Sequence, residues 1–218
     1  MLGVKTKATF LLISLFSIAT VAMSLQVDGW LLERNKKGIK VFTRKGKWSK
    51  LRDSKADMLV LNTSVEDIIK LLTDFDNFPN WLPRCRFGKV VARLSDTEFI
   101  GYMVFKSPWP VADRDCAVRV KVEQDPTTGA VTIQETSEPH QVLRKSDVVR
   151  IEQMNSVWHL TPQGTDVQVT NEYATNPGGN IPDWLTNTQS VESPFDVFST
   201  IQQVMPSVKG KGKVYKSH

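Results

Sequence analysis

The chain has 218 residues, 40% hydrophobic and 23% charged, which is enough apolar side chain to bury one substantial core and places it among ordinary globular proteins. Its formal charge of +5 is only a mild basic excess, and no basic run is interleaved with aromatic residues, which argues against nucleic acid as a partner. Two cysteines, Cys85 and Cys116, could form a bridge, but a chain this large folds without one, so free thiols are expected.

The first 24 residues carry Lys5 and Lys7 ahead of an uncharged apolar run from Ala8 to Ala22, with small residues at Ala22 and Ser24. That pattern predicts a secretory signal peptide cleaved after Ser24, hence a secreted or periplasmic protein, because the run is short for a membrane span. Residues 25–208 contain no repeat or low-complexity linker and read as one domain. The tail, residues 209–218, alternates Lys209, Lys211 and Lys213 with small residues and reads as a solvated, flexible, basic end able to touch an anionic membrane surface.

Within the domain, "IKVFTRK" and "KADMLVLN" have strand composition. In "TSVEDIIKLLTDF", Thr63 is placed to cap a helix and Glu66 to close a capping box, while Val65, Ile68, Ile69 and Leu72 recur at helical spacing. Pro79 and Pro83 end that helix. Strands follow at "KVVARL", "TEFIGYMVFK", "CAVRVKVEQ", "AVTIQETS", "VVRIEQMNSVWHL" and "DVQVTNEYA", separated by turn signals such as Thr128-Gly129 and Gln163-Gly164. From Ile181 to Met205 apolar residues at Trp184, Leu185, Val191, Phe195, Phe198, Ile201 and Val204 predict a long amphipathic helix, kinked at Pro194. The order predicts an α+β fold with the closing helix laid across the concave face of an antiparallel sheet.

Strand alternation assigns the faces. Gly101, Met103 and Phe105 share the inner face, as do Cys116, Val118 and Val120, and Val167, Val169, Asn171 and Tyr173. His159 and Glu135 are further inward candidates. This face is largely apolar with scattered polar groups, and alternation alone fits a filled core as well as a cavity.

Two motifs, "SPWPVADRD" and "NPGGNIPDWLTN", stand in this order ahead of a long closing helix. Together they resemble the START family, the steroidogenic acute regulatory protein-related lipid-transfer domains, over roughly Gly29 to Met205. The resemblance implies a helix-grip fold, a curved antiparallel sheet around a C-terminal helix, with a hydrophobic tunnel holding one lipid or sterol-like molecule. It implies a tunnel lined by Met103, Phe105, Val118, Val120, His159, Val169, Asn171, Tyr173, Trp184, Leu185, Val191, Phe195 and Phe198, with Glu135 as the one carboxylate to meet a polar head. Arg114 and Asp115 are assigned a structural role as a charge pair, pinning the start of a strand after Pro108 and Pro110 turn the chain.

The leading expectation is a monomeric carrier that needs no cofactor or metal, its tunnel gated by the closing helix or by the loop "SEPHQVLRKSD". Two alternatives remain. A helix-grip enzyme of cyclase or hydrolase type would use His159 with Tyr173 or Glu135 as an acid–base set, although the chain has neither a G-x-S-x-G elbow nor an H-E-x-x-H motif. An envelope scaffold would fill its own core.

Overall fold

A computed structural model describes residues 26–27 and 29–208; the expected leader and basic tail lie outside them. Eleven strands form one sheet: β1 (Gln26–Val27), β2 (Trp30–Lys36), β3 (Ile39–Arg44), β4 (Asp53–Val60), β5 (Cys85–Arg93), β6 (Glu98–Phe105), β7 (Arg114–Gln124), β8 (Val131–Ser137), β9 (Val149–Arg150), β10 (Gln153–Gln163) and β11 (Asp166–Asn176). Their spatial order is β1-β2-β3-β4-β11-β10-β8-β7-β6-β5, antiparallel throughout except that β9 runs parallel beside β7. A helical segment follows β4, comprising α1 (Val65–Thr73), a 3-10 turn at Phe75–Asn77 and α2 (Phe78–Trp81). The chain closes with α3 (Asp183–Val208), which packs chiefly against β3 and β4. This is the helix-grip arrangement.

Local differences from the sequence expectation have physical causes. The cap of α1 is Ser64, not Thr63: its hydroxyl accepts from the Asp67 amide at 3.2 Å and donates to the Asp67 carboxylate at 3.0 Å. Both arrangements satisfy a first-turn amide, and the one that leaves Ile68, Ile69 and Leu72 buried prevails. Pro79 does not end structure but opens a second helical turn, where its missing amide costs nothing. The run "VVRIEQMNSVWHL" divides into β9 and β10, separated by Ile151 and Glu152.

The 3-10 turn carries Phe75, which is fully buried and packs edge-on to Phe99 at 5.5 Å. Gly101 and Gly88 make room for it. A Cβ at Gly101 would meet the Phe75 ring at 2.1 Å, and one at Gly88 would meet the Phe75 carbonyl at the same distance. Phe75 with Phe78 and Trp81 thus fills the concave face over β5, β6 and β7. Burying each such ring contributes roughly 1.5–3 kcal/mol.

The convex face has a smaller core of its own. Tyr102, Val104 and Ala117 are buried there beneath Val142 and Val148 of the 138–148 segment. The same segment accepts hydrogen bonds from Arg150 at the Pro139, Val142 and Leu143 carbonyls. The expected gating loop is therefore tied to the outside of the sheet, opposite α3.

Candidate functional site

Cross-strand register orders the concave face into rows. At the closed end Val131, Leu160, Val169 and Met58 stand opposite one another, all buried and apolar. The next row is Ile133, Trp158, Asn171 and Ala56. Two residues nearer the open end comes a polar row, Glu135, Ser156, Tyr173 and Ser54. Over this row, between the sheet and α3, lies a cavity of about 320 Å³. That is within the range of small-molecule sites, ~300–1,000 Å³.

Its inner end is a hydrogen-bonded cluster. The Glu135 carboxyl is held by the Ser156 hydroxyl and the Trp158 indole N–H, and burial pushes its pKa up despite both bonds. Asn171 Nδ2 donates to Ser156 Oγ at 3.0 Å and to the Val157 carbonyl at 3.3 Å. Burial also raises the Tyr173 hydroxyl, and it pushes the Cys116 thiol up to about 12, with the Glu135 and Asp115 charges adding to the shift. Each shift disfavours charge in an apolar surround.

Helix α3 forms the roof with two parallel lines of side chains, Leu185–Gln189–Ser193–Val197 and Thr186–Ser190–Pro194–Phe198. The spacing of four keeps each line on one face. Phe198 stacks on Trp158 with ring centroids 5.7 Å apart, so roof and floor meet at the inner end. Leu72, Phe78 and Trp81 form one side wall. The mouth is bordered by the 106–113 loop between β6 and β7, where Ser107, Pro108 and Val111 line the opening and Trp109 projects with 92% of its surface exposed.

Of the residues expected in the tunnel, Met103, Phe105, Asn171, Tyr173, Leu185 and Phe198 border the cavity, and so does Glu135. The others require correction. His159 lies on the outer face, exposed, with Nδ1 3.3 Å from Thr132 Oγ1; the inward positions of β10 are Met154, Ser156, Trp158 and Leu160, one out of step. Consequently His159 does not converge with Tyr173 and Glu135, and the suggested acid–base set is not assembled. Val118, Val120 and Val169 do face inward but lie in packed core away from the cavity. Phe75 packs on Gly101, the β6 partner of Val118, which explains the first of these. Val191 and Phe195 are on the flank of α3, where Arg34 lies 4.5 Å over the Phe195 ring and grips Glu192 through two hydrogen bonds. The Trp184 side chain lies outside the described residues.

Placing His159 inside hides Ser156 and Trp158, one residue out of step on β10, whereas Gln189 and Ser193 give no signal because apolar periodicity passes over polar roof positions. The alternation of Met154, Ser156, Trp158 and Leu160 was the available signal.

Arg114 and Asp115 are not a pair. Neighbours on a strand face opposite ways, and these two do. Asp115 is fully buried on the convex side, where Arg150 donates Nε at 2.7 Å and Nη2 at 2.9 Å and the Tyr102 hydroxyl donates at 2.9 Å. Burial alone would raise its carboxyl, but these bonds hold it below the usual carboxylate range. Arg114 points to the concave side. It donates to the Ala112 carbonyl, to Ser107 Oγ at 3.4 Å and to the Gly178 carbonyl at 3.1 Å. The last bond joins "SPWPVADRD" to "NPGG", where Gly178 and Gly179 both have positive φ. Cys85 and Cys116 are free, buried thiols.

Comparison with known proteins agrees with this geometry. A STAR-related lipid transfer protein from Xanthomonas axonopodis superposes with a TM-score of 0.76 at 31% identity, covering 82% of this chain and 99% of that one. Human StAR-related lipid transfer protein 5 shares the fold, with a TM-score of 0.74 at 15% identity over 83% of this chain and 88% of its own. An uncharacterised protein of Pseudomonas aeruginosa is 26% identical over 203 residues, 90% of this chain and 95% of that protein. The family model of the START domain matches residues 21–209, nearly the whole chain, and the protein therefore belongs to the START domain family.

Proposed function

We propose that this START protein is an exported, monomeric carrier that holds one lipid-like molecule in the cavity beneath α3 and passes it between membranes. The observation that carries this reading is the cavity itself, about 320 Å³ beneath α3, walled by Leu72, Phe78, Trp81, Met103, Trp158 and Phe198 and open at one mouth. A ligand moving from bilayer to cavity exchanges one apolar surrounding for another, whereas each methylene left in water costs ~0.8 kcal/mol. Exchange occurs at the 106–113 loop and the first half of α3, since these border the mouth. The exposed Trp109 is suited to the membrane interface, where an indole keeps its N–H hydrated and its ring in apolar surroundings.

Transfer of a fluorescent lipid from donor to acceptor vesicles tests this. The rate should rise in proportion to protein concentration, and a rate unchanged by added protein would contradict it.

A further inference from the structure

We infer that the ligand is an anionic amphiphile bound head outward, its carboxylate or phosphate against Arg114 at the mouth and its apolar body extending toward Trp158 and Phe198. This rests on the cavity being a ligand site, and it adds the ligand's class and orientation.

Charge around the cavity is segregated. Four cations border its outer part, Arg52, Arg84, Lys106 and Arg114, whereas Glu135 is the one carboxylate among the described lining residues. Glu135 sits in the inner polar row opposite Val120, six residues along β7 from Arg114, or about 20 Å at strand rise. An anionic head driven inward would meet that carboxyl; one left at the mouth meets the four cationic side chains that line it.

The mouth cations are incompletely neutralised. Arg52 pairs with Glu33 at 2.6 Å, but Arg84 donates to the neutral Gln189 amide at 2.6 Å, and Lys106 forms no ion pair among the described residues. Arg114 is the most telling. It is only 6% exposed, its three acceptors are two carbonyls and a hydroxyl, and its Nε–H is buried with no acceptor at all. The adjacent Asp113 carboxylate is turned to Arg86 at 3.1 Å and to the Ser107 amide at 3.0 Å. A buried guanidinium with an empty donor and no carboxylate bonded to it, only the charge of Asp113 nearby, is costly, and a two-oxygen anion supplies the missing acceptor and a directly bonded charge. Access to Nε requires the 106–113 loop to give, because that loop carries two of the present acceptors; head-group binding is thereby coupled to the mouth.

The test compares parinaric acid, a fluorescent fatty acid, with its uncharged methyl ester, titrated into the wild-type protein, Arg114→Gln and the double variant Arg84→Gln/Lys106→Gln. The wild type should bind the acid on the order of tenfold or more tighter than the ester, as expected for charge-assisted hydrogen bonds. That ratio should shrink toward one in both variants, with ester affinity retained. Arg84 and Lys106 are exposed, so the double variant keeps the test valid if Arg114→Gln fails to fold. Equal wild-type affinities, or an acid preference that survives the substitutions, would overturn the head-out anion while leaving the carrier intact. Failure to bind either probe would overturn both. Inorganic phosphate binding as tightly as the acid would make this a free-anion site and overturn the amphiphile.

Discussion

Replacing Arg150 with alanine should be among the most damaging single changes outside the concave core. Arg150 is 5% exposed and Asp115 fully buried, so the substitution leaves a buried aspartate with only the Tyr102 hydroxyl bonded to it and the charge of Lys145 nearby. Removing one partner of a buried pair costs about 3–5 kcal/mol. The carbonyls of Pro139, Val142 and Leu143 lose their donor as well, loosening the cover over Tyr102 and Val104. For a chain of this size each kcal/mol lowers Tm by ~2–4 °C, so the melt should fall by roughly 6–20 °C. Because the native pKa of Asp115 is depressed, its contribution is present above the ordinary carboxylate range and is lost as pH falls through the lowered value. A double-mutant cycle by chemical denaturation should give a coupling on the order of 3 kcal/mol for Arg150 with Asp115, and within ~0.5 kcal/mol of zero for Arg114 with Asp115. A larger coupling for Arg114, or an Arg150→Ala melt within about 2 °C of wild type, would refute the assignment.

Glu135→Gln keeps a hydrogen-bonding group beside Ser156 and Trp158 without a charge to bury. Since the native Glu135 pKa is raised, wild-type stability is fullest below the unfolded value, ~4.3, and declines as pH rises; the variant should melt higher than wild type at alkaline pH, the gap closing in acid. A gap independent of pH would count against a buried carboxyl. Phe198→Ala removes a ring that is 1% exposed and stacked on Trp158, so it should cost about 3–5 kcal/mol in a denaturant titration; a cost below ~1 kcal/mol would mean the roof is not packed there. Trp109→Ser should leave the melt unchanged, within ~0.5 kcal/mol, yet slow transfer from vesicles; equal transfer rates would remove Trp109 from membrane contact. Sequencing the exported protein should begin at Leu25, and an intact leader in the membrane fraction would contradict export with cleavage.

Alternation and helical spacing revealed nearly every element, because a sheet with one covered face must repeat every two residues and a helix lying on it every 3.6. They also distinguish inside from outside on β6, β7 and β11, and on β8 they single out Glu135. Depth was not legible. Val169 and Tyr173 share a face of one strand, yet one is sealed in the closed end and the other borders the cavity, because where α1 and Phe75 come to rest is settled by tertiary packing. The roof was misread for a related reason. Periodic apolar residues mark what must be dry, so Val191 and Phe195 stood out, while Gln189 and Ser193 face a space whose polar edge tolerates them. His159 failed through a one-residue slip in parity within a run whose start, "VVRIEQ", is not one strand. Arg114 and Asp115 looked like a pair because they are adjacent, and adjacency on a strand is what separates them. The true partner, Arg150, is 35 residues along the chain from Asp115.

A carrier requires the cavity to be occupied by one ligand. Solvent extraction of folded, purified protein, with quantitative mass spectrometry of the extract, measures this directly on the wild type and on Ser156→Phe, which places a ring in the polar row. About one amphiphile per chain from the wild type, and far less from the filled variant at equal folded fraction, is the predicted result. Wild-type protein that yields no lipid after exposure to vesicles, or equal lipid from both proteins, would contradict it.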